Sequence, residues 1–178
     1  MPLTLRLPKE SEEAEFLRAH AATSPSTPTF LHGYREGMPF LEYVAALVDR
    51  SLGLNLGTSH SKVPATFLFA FVEERIVGRV SIRHCLTPEL TREGGHIGYV
   101  VVPEFRRQGM ATEMLRQAIP LASFKSGSTR LLVTCHDDNV GSIRAIEKNG
   151  GHLENVVASA DGERRIRRYW IEVTQSAA

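Results

Sequence analysis

The stretch Tyr99-Val100-Val101-Val102-Pro103-Glu104-Phe105-Arg106-Arg107-Gln108-Gly109-Met110-Ala111-Thr112 combines the residue types best suited to chemistry in this chain. An apolar strand stops at a proline, a basic loop follows, and Gly109 leads into a helix that starts with small residues. The first backbone N–H groups of a helix lack internal partners and lie at the positive end of its dipole, so this turn can hold an anion with main chain alone. Gly109 allows close approach because it has no side chain. On physics alone, a plain strand-to-helix turn with solvated arginines fits the same stretch equally well. A nucleotide fits poorly, since GxGxxG is missing here and GK[ST] is missing everywhere. Just upstream His96 brings an imidazole, which titrates near neutral pH, to the start of the strand.

Composition narrows what such a site can serve. With 42% hydrophobic and 23% charged residues over 178 positions, the chain reads as one globular domain, residues 1–178, able to fold without disulfides or a structural metal. A formal net charge of +1 provides no global field to attract nucleic acid or an anionic membrane, so a charged ligand must be recognised locally. Arg164, Arg165, Arg167 and Arg168 divide between the two faces of a strand and read as a solvated edge rather than a nucleic-acid patch. The two cysteines, Cys85 and Cys135, read as buried thiols. Each adjoins a histidine, but neighbours on a strand point to opposite faces and zinc-ligand spacings are missing, so no metal is expected. The N-terminus lacks the apolar stretch of a signal peptide, and no run approaches the roughly 20 apolar residues of a membrane span. The cytoplasm is the expected compartment.

The elements that must position these residues follow from pattern. Leu3 to Leu7 alternates as a short strand, and Ser11 with Glu12 and Glu13 opens a helix to about His20. The loop from Thr23 to Pro39 precedes a helix striped by Phe40, Tyr43, Val44, Leu47 and Val48 and stopped by Gly53. After a polar loop from Asn55 to Pro64, the Phe-rich run Ala65 to Val72 reads as a buried strand and Ile76 to Cys85 as the next. A loop with Pro88 and Gly94-Gly95 leads to the strand His96 to Val102. The helix after Gly109 should be kinked or divided at Pro120. Arg130 to Thr134 is a strand, Gly141 to Asn149 a short helix, and Leu153 to Ala158 with Arg165 to Val173 a hairpin around Ala160-Asp161-Gly162-Glu163. This order predicts a mixed sheet covered by helices.

Arg106-x-x-Gly109-x-Ala111, preceded by Val101-x-Pro103, resembles the acetyl-CoA signature [QR]xxGx[GA] of the GNAT superfamily of N-acetyltransferases. Asn139-x-x-Ser142-Ile143-x-x-Ile146-Glu147-Lys148-Asn149-Gly150 is similar to the later NxxAxxxYEKxG helix of that superfamily. The element order from Leu3 to Val173 matches as well, and Ile146 to Gly151 with Arg167 to Ile171 resembles a bacterial subset. The resemblance implies an α/β (α+β) GNAT fold: a single mixed, mainly antiparallel sheet of about seven strands, covered by about four helices, with a splayed strand pair holding the acyl-CoA. It implies transfer of an acetyl group from acetyl-CoA to a primary amine of a small molecule, by direct attack in a ternary complex. Acetylation of a protein N-terminus or lysine is the alternative within the class, and a non-catalytic acyl-CoA sensor the alternative outside it. A homodimer is compatible with the sequence.

The resemblance also assigns roles. Backbone N–H groups of Arg107, Gln108, Gly109, Met110, Ala111 and Thr112, after Arg106, would hold the CoA pyrophosphate. The strand at Val100 and Val101 would pair with the pantetheine amides as a neighbouring strand does. Asn139 and Ser142 would meet the pantetheine arm, although Asn139 equally suits a helix N-cap. His96 is expected as the base that deprotonates the amine, close to where many relatives carry a carboxylate. The helix position that often carries a tyrosine acid is Ile146, expected to serve packing only, so that Tyr99, Tyr34, Tyr169 or water would protonate the thiolate, or no acid is needed because a thiolate is a good leaving group. Glu36, Glu42 and Asp49 are candidates to attract a cationic amine between walls of Phe30, Tyr34, Phe40 and Tyr43.

Overall fold

A computed structural model describes residues 2–23, 30–56 and 63–173. Chain order is β1 (Leu3–Arg6), a 3-10 turn, α1 (Glu13–Thr23), α2 (Phe40–Ser51), β2 (Ala65–Val72), β3 (Arg75–Arg83), α3 (Pro88–Arg92), β4 (Ile97–Val101), α4 (Met110–Ser126), β5 (Arg130–His136), α5 (Val140–Lys148), β6 (Gly151–Ala158) and β7 (Arg165–Glu172). The loops read at Thr23 to Pro39 and Asn55 to Pro64 fall partly outside the described residues.

β2 is apolar at every position but Thr66 because both its faces are covered. Phe67, Phe69 and Phe71 pack with Phe16 of α1 and with Phe40, Tyr43 and Leu47 of α2. On the other face Val80, Ile82 and Ile97 meet Met114, Leu115 and Ala118 of α4 and Ile146 of α5. Each fully buried Phe or Leu contributes about 1.5–3 kcal/mol, so the two apolar layers fix the strand faces and with them every position on β3 and β4.

The expected single sheet is two sheets. Among the described residues, β1-β2-β3-β4 and β5-β7-β6 form separate antiparallel sheets, linked by one bridge, Gly95 to Val133. His96 shows why pairing stops there. Its N–H donates to Leu132 O at 2.7 Å, while the N–H of Leu132 donates to the His96 ring Nδ1 at 2.9 Å. The ring takes the bond that a β4 carbonyl would take in a continuous ladder, and the strands diverge beyond it.

Three further expectations change. There are five α-helices among the described residues, because the loop at Pro88 holds α3: Thr87 Oγ1 accepts from Leu90 N–H at 3.2 Å and Pro88 occupies the first turn. Helix α4 runs undivided through Pro120. Arg116, whose carbonyl loses its partner to Pro120, is exposed, so water can supply the missing bond. Cys85 is exposed because β3 ends at Arg83. Cys135 is half-buried, and burial pushes its thiol pKa up to about 11. No helix among the described residues is long and apolar enough to cross a membrane.

Candidate active site

Among the described residues β4 has a ladder partner on one edge only. Val102 N–H donates to Val77 O at 2.9 Å, and Val100 and Gly98 stand opposite Arg79 and Ser81. In an antiparallel ladder, alternate residues turn their hydrogen-bonding groups to opposite edges. The main-chain groups of Val100 are therefore spent on β3, and those of Tyr99 and Val101 point into the gap between the sheets. Arg106 Nε donates to Val101 O at 3.2 Å, which marks the same direction. Tyr99, not Val100, accompanies Val101 on the free edge, a pairing that strand alternation alone carries.

Past Pro103 the chain makes a 3-10 turn and enters the loop of the sequence signature. Arg107 adopts φ 60° and Gly109 φ 83°. Left-handed residues in a turn rotate successive N–H groups toward a common point, forming an anion-binding concavity. From Arg107 to Thr112 no backbone N–H bonds to a described residue, whereas Glu113 N–H closes the first helical bond on Gly109 O at 3.1 Å. A Cβ built on Gly109 would meet nothing within 4 Å. The residues brought together here are those the sequence predicted, with free donors, a helix dipole and open space. Arg106, Arg107 and Gln108 are exposed beside them.

At the mouth of the gap lies a cavity of about 250 Å³, lined from β4 by Gly98 and Tyr99, from β5 by Thr134, Cys135 and His136, from α5 by Asn139 and Ser142, and by Arg83 and Glu93. Asn139 caps α5, its Oδ1 accepting from Ser142 N–H at 3.0 Å, and still borders the cavity. Of the three tyrosines expected as acid candidates, Tyr99 borders it. Tyr169 is fully buried with its hydroxyl between Arg167 and Glu147, and Tyr34 packs among the aromatic rings of α1 and α2. Burial pushes the Tyr99 pKa up to about 12, and its hydroxyl donates to Ser142 O at 3.4 Å. It remains protonated across the neutral range. Ile146 is fully buried.

His96 is 7% exposed, and burial first, with the Arg83 charge second, lowers its pKa. The ring is neutral at pH 7. Because Nδ1 accepts from Leu132, the network assigns the proton to Nε2. The lone pair that a general base needs is already used. Glu93 was missed by sequence reasoning, although it is the one carboxylate among the lining residues. Its position next to Gly94-Gly95, just before the strand, was the available signal.

The expected acidic attraction for the amine does not assemble. Glu36 and Glu42 are exposed, and Asp49 accepts from Asn55 at 3.1 Å. Phe30, Phe40 and Tyr43 are core residues under 6% exposed. Helical periodicity places such rings equally well in a core or a pocket, and here the sheet claims them.

Residues 3–152 match the family described as acetyltransferase (GNAT) domain. No curated protein matches the chain. Among solved structures, the acetyltransferase that modifies the N-terminal serine of 50S ribosomal subunit protein L7/L12 from Salmonella typhimurium is 18% identical, with TM-score 0.66 over 97% of this chain and 95% of that one. The microcin C7 self-immunity acetyltransferase MccE, in complex with acetyl-CoA and AMP, is 18% identical, with TM-score 0.62 over 96% and 92%. A GNAT-family acetyltransferase from Bacillus anthracis is 18% identical, with TM-score 0.61 over 97% and 95%. At these identities the likeness is one of fold, and the family match over most of the chain adds the rest. With a splayed strand pair, a free β4 edge and a main-chain anion cradle at the start of α4, the chain belongs to the GNAT acetyltransferase family.

Proposed function

We propose that this protein transfers an acetyl group from acetyl-CoA to a primary amine of a small molecule, by direct attack within a ternary complex. The observation that carries this reading is the cavity in the gap, continuous with the free edge of β4. At about 250 Å³ it falls just below the usual range of ligand pockets, about 300 to 1,000 Å³. It suits a thioester end and a short amine better than a folded protein surface. In this reading the N–H groups from Arg107 to Thr112 hold the pyrophosphate, the free edge at Tyr99 and Val101 pairs with the pantetheine amides, and Asn139 and Ser142 border the arm. A backbone N–H of the same edge stabilises the oxyanion formed as the amine adds to the thioester carbonyl. The tetrahedral intermediate then expels the thiolate, and the Tyr99 hydroxyl supplies its proton.

Glu93 takes the base role that the engaged ring of His96 does not offer. Glu93→Gln is expected to lower turnover by about 10² with an alkylamine near neutral pH. The loss should shrink as the pH approaches the amine's own pKa, where free base needs no help. A pH–rate profile of the variant checks this, and a pH-independent loss counts against it.

His96 is a positioning residue that sets where the strands part. His96→Ala leaves the buried Leu132 N–H without an acceptor, which costs about 1–3 kcal/mol. The urea midpoint should fall while the shape of the pH–rate profile stays as in the wild type. An unchanged midpoint with a lost pH limb would restore His96 as the base.

CoA release on incubation with a panel of small amines tests the whole reading. Acetylation of a protein N-terminus is the second reading, favoured by the reaction named for the Salmonella neighbour. Turnover with N-terminal peptides alone would select it. Tight CoA binding with no turnover of any amine would select a sensor.

A further inference from the structure

Arg79 lies in the middle of β3, 6% exposed, on the face that looks toward α1 and α2. Among the described residues its Nε has no hydrogen-bond partner, and no carboxylate compensates its charge. The segments outside the description contain no Asp or Glu. Burial, the main cause, brings its pKa down to about 10, with the Arg83 charge adding to the effect. The guanidinium thus keeps its charge at neutral pH, buried and uncompensated, a costly arrangement unless something else completes it.

A second guanidinium and an imidazole converge on the same place. The Arg79 and Arg50 guanidinium carbons stand 5.2 and 5.6 Å from the centroid of the Phe67 ring, and His32 stacks on that ring at 5.7 Å with an interplanar angle of 8°. Burial first, then the charges of Arg50, Arg79 and Arg83, lowers the His32 pKa. Tyr43 presents a buried hydroxyl that also has no partner among the described residues. A cation and a neutral O–H donor left unsatisfied together match an anion with several lone pairs. Arg79, Ser81 and Arg83 alternate along one face of β3, opposite Val100 and Gly98. Arg83 and Gly98 line the cavity in the gap. Arg79, opposite Val100, therefore lies two residues from Gly98 as counted along β4, on the order of 7 Å, and four residues from Arg83 along β3, on the order of 13 Å.

We propose that Arg79, with the Tyr43 hydroxyl and the neighbouring Arg83, Arg50 and His32, forms a subsite for an oxyanion carried by the acceptor, a carboxylate or phosphoryl group a few bonds from the amine. This names the acceptor class and rests on the acetyltransferase reading above. It reverses the acidic attraction that the sequence led one to expect.

The test compares CoA release from ω-amino acids of increasing length and from O-phosphoethanolamine with release from uncharged alkylamines of matched length. At least one anionic acceptor should exceed its uncharged counterpart tenfold or more in kcat/KM, through KM. The better of the carboxylate and phosphoryl arms identifies the anion. Arg79→Leu should erase the preference, leave CoA affinity as it was, and keep or raise Tm, because an uncompensated charge is removed. Equal rates for charged and uncharged partners, or a preference that survives Arg79→Leu, would overturn the proposal. Arg79→Lys, which keeps the charge without the fork, should keep part of the preference and serves if the leucine variant fails to fold. If no amine turns over, the acetyltransferase reading fails, and the anion site is still decided by thermal melts. Inorganic phosphate or acetate should raise Tm of the wild type above chloride at equal ionic strength, and do so less in Arg79→Leu or Arg79→Lys. No difference between wild type and variant would overturn the subsite.

Discussion

Gly109→Glu is expected to weaken CoA binding by at least about 10³ while the protein stays folded. The new carboxylate would stand in the open space that faces the free N–H groups of the cradle, where an added Cβ meets nothing within 4 Å. Two unit charges 4 Å apart near a protein surface repel by about 4 kcal/mol at an effective dielectric of 20, close to a factor of 10³, and the side chain also occupies the anion's volume. Gly109 has φ 83°, so any L residue there also meets a left-handed backbone cost of about 1–2 kcal/mol. Gly109→Ala separates the two contributions, since it carries the backbone cost without the charge. Calorimetry with CoA, paired with a thermal melt of each variant, should find similar melts and widely different affinities. A folded Gly109→Glu protein with wild-type CoA affinity would place the cofactor elsewhere and remove the main support for the mechanism.

That cradle was legible in the sequence because it consists of main chain. A proline, a glycine and a helix start fix where N–H groups point, whatever the arginines around them do. The layered elements were legible for a similar reason: the run Ala65 to Val72 coincides with β2 to the residue, since a strand covered on both faces is apolar nearly throughout, with Thr66 the one polar residue. Features that depend on distant partners were not. His96 reads as a base in one dimension, and only the β5 backbone opposite it, with Leu132 N–H on Nδ1, makes it a tether. Arg79, Ser81 and Arg83 read as the polar half of an alternating strand, which normally faces water, yet α1 and α2 cover that face. Local periodicity reports that two faces differ; it cannot report that the polar one is buried too.

The parting of the two sheets rests on Gly95 as well as on His96, and Gly95→Ala is expected to destabilise the protein by about 2–5 kcal/mol. Gly95 has φ 63° and makes the bridge to Val133. Its missing Cβ would lie 2.4 Å from Leu132 O, 2.9 Å from Leu132 C and 3.3 Å from Val133 Cα. All three are backbone atoms of a strand whose side chains Leu131, Leu132 and Val133 are fully buried, so no flexible group can yield. The estimate adds the left-handed cost of about 1–2 kcal/mol to the overpacking cost of about 1–3 kcal/mol. Gly109→Ala supplies the comparison: a backbone of the same hand with nothing near the added methyl, hence a smaller shift of the urea midpoint. The strain at Gly95 also has a direction. Relief requires β4 to move off β5 at the vertex, which lengthens or breaks the His96 N–H bond to Leu132 O and changes the width of the gap. The surviving folded fraction of Gly95→Ala should therefore bind CoA more weakly, although no atom of residue 95 lies in the cradle. Unchanged stability together with unchanged CoA affinity would mean that the two sheets are held at their angle by something other than this backbone contact.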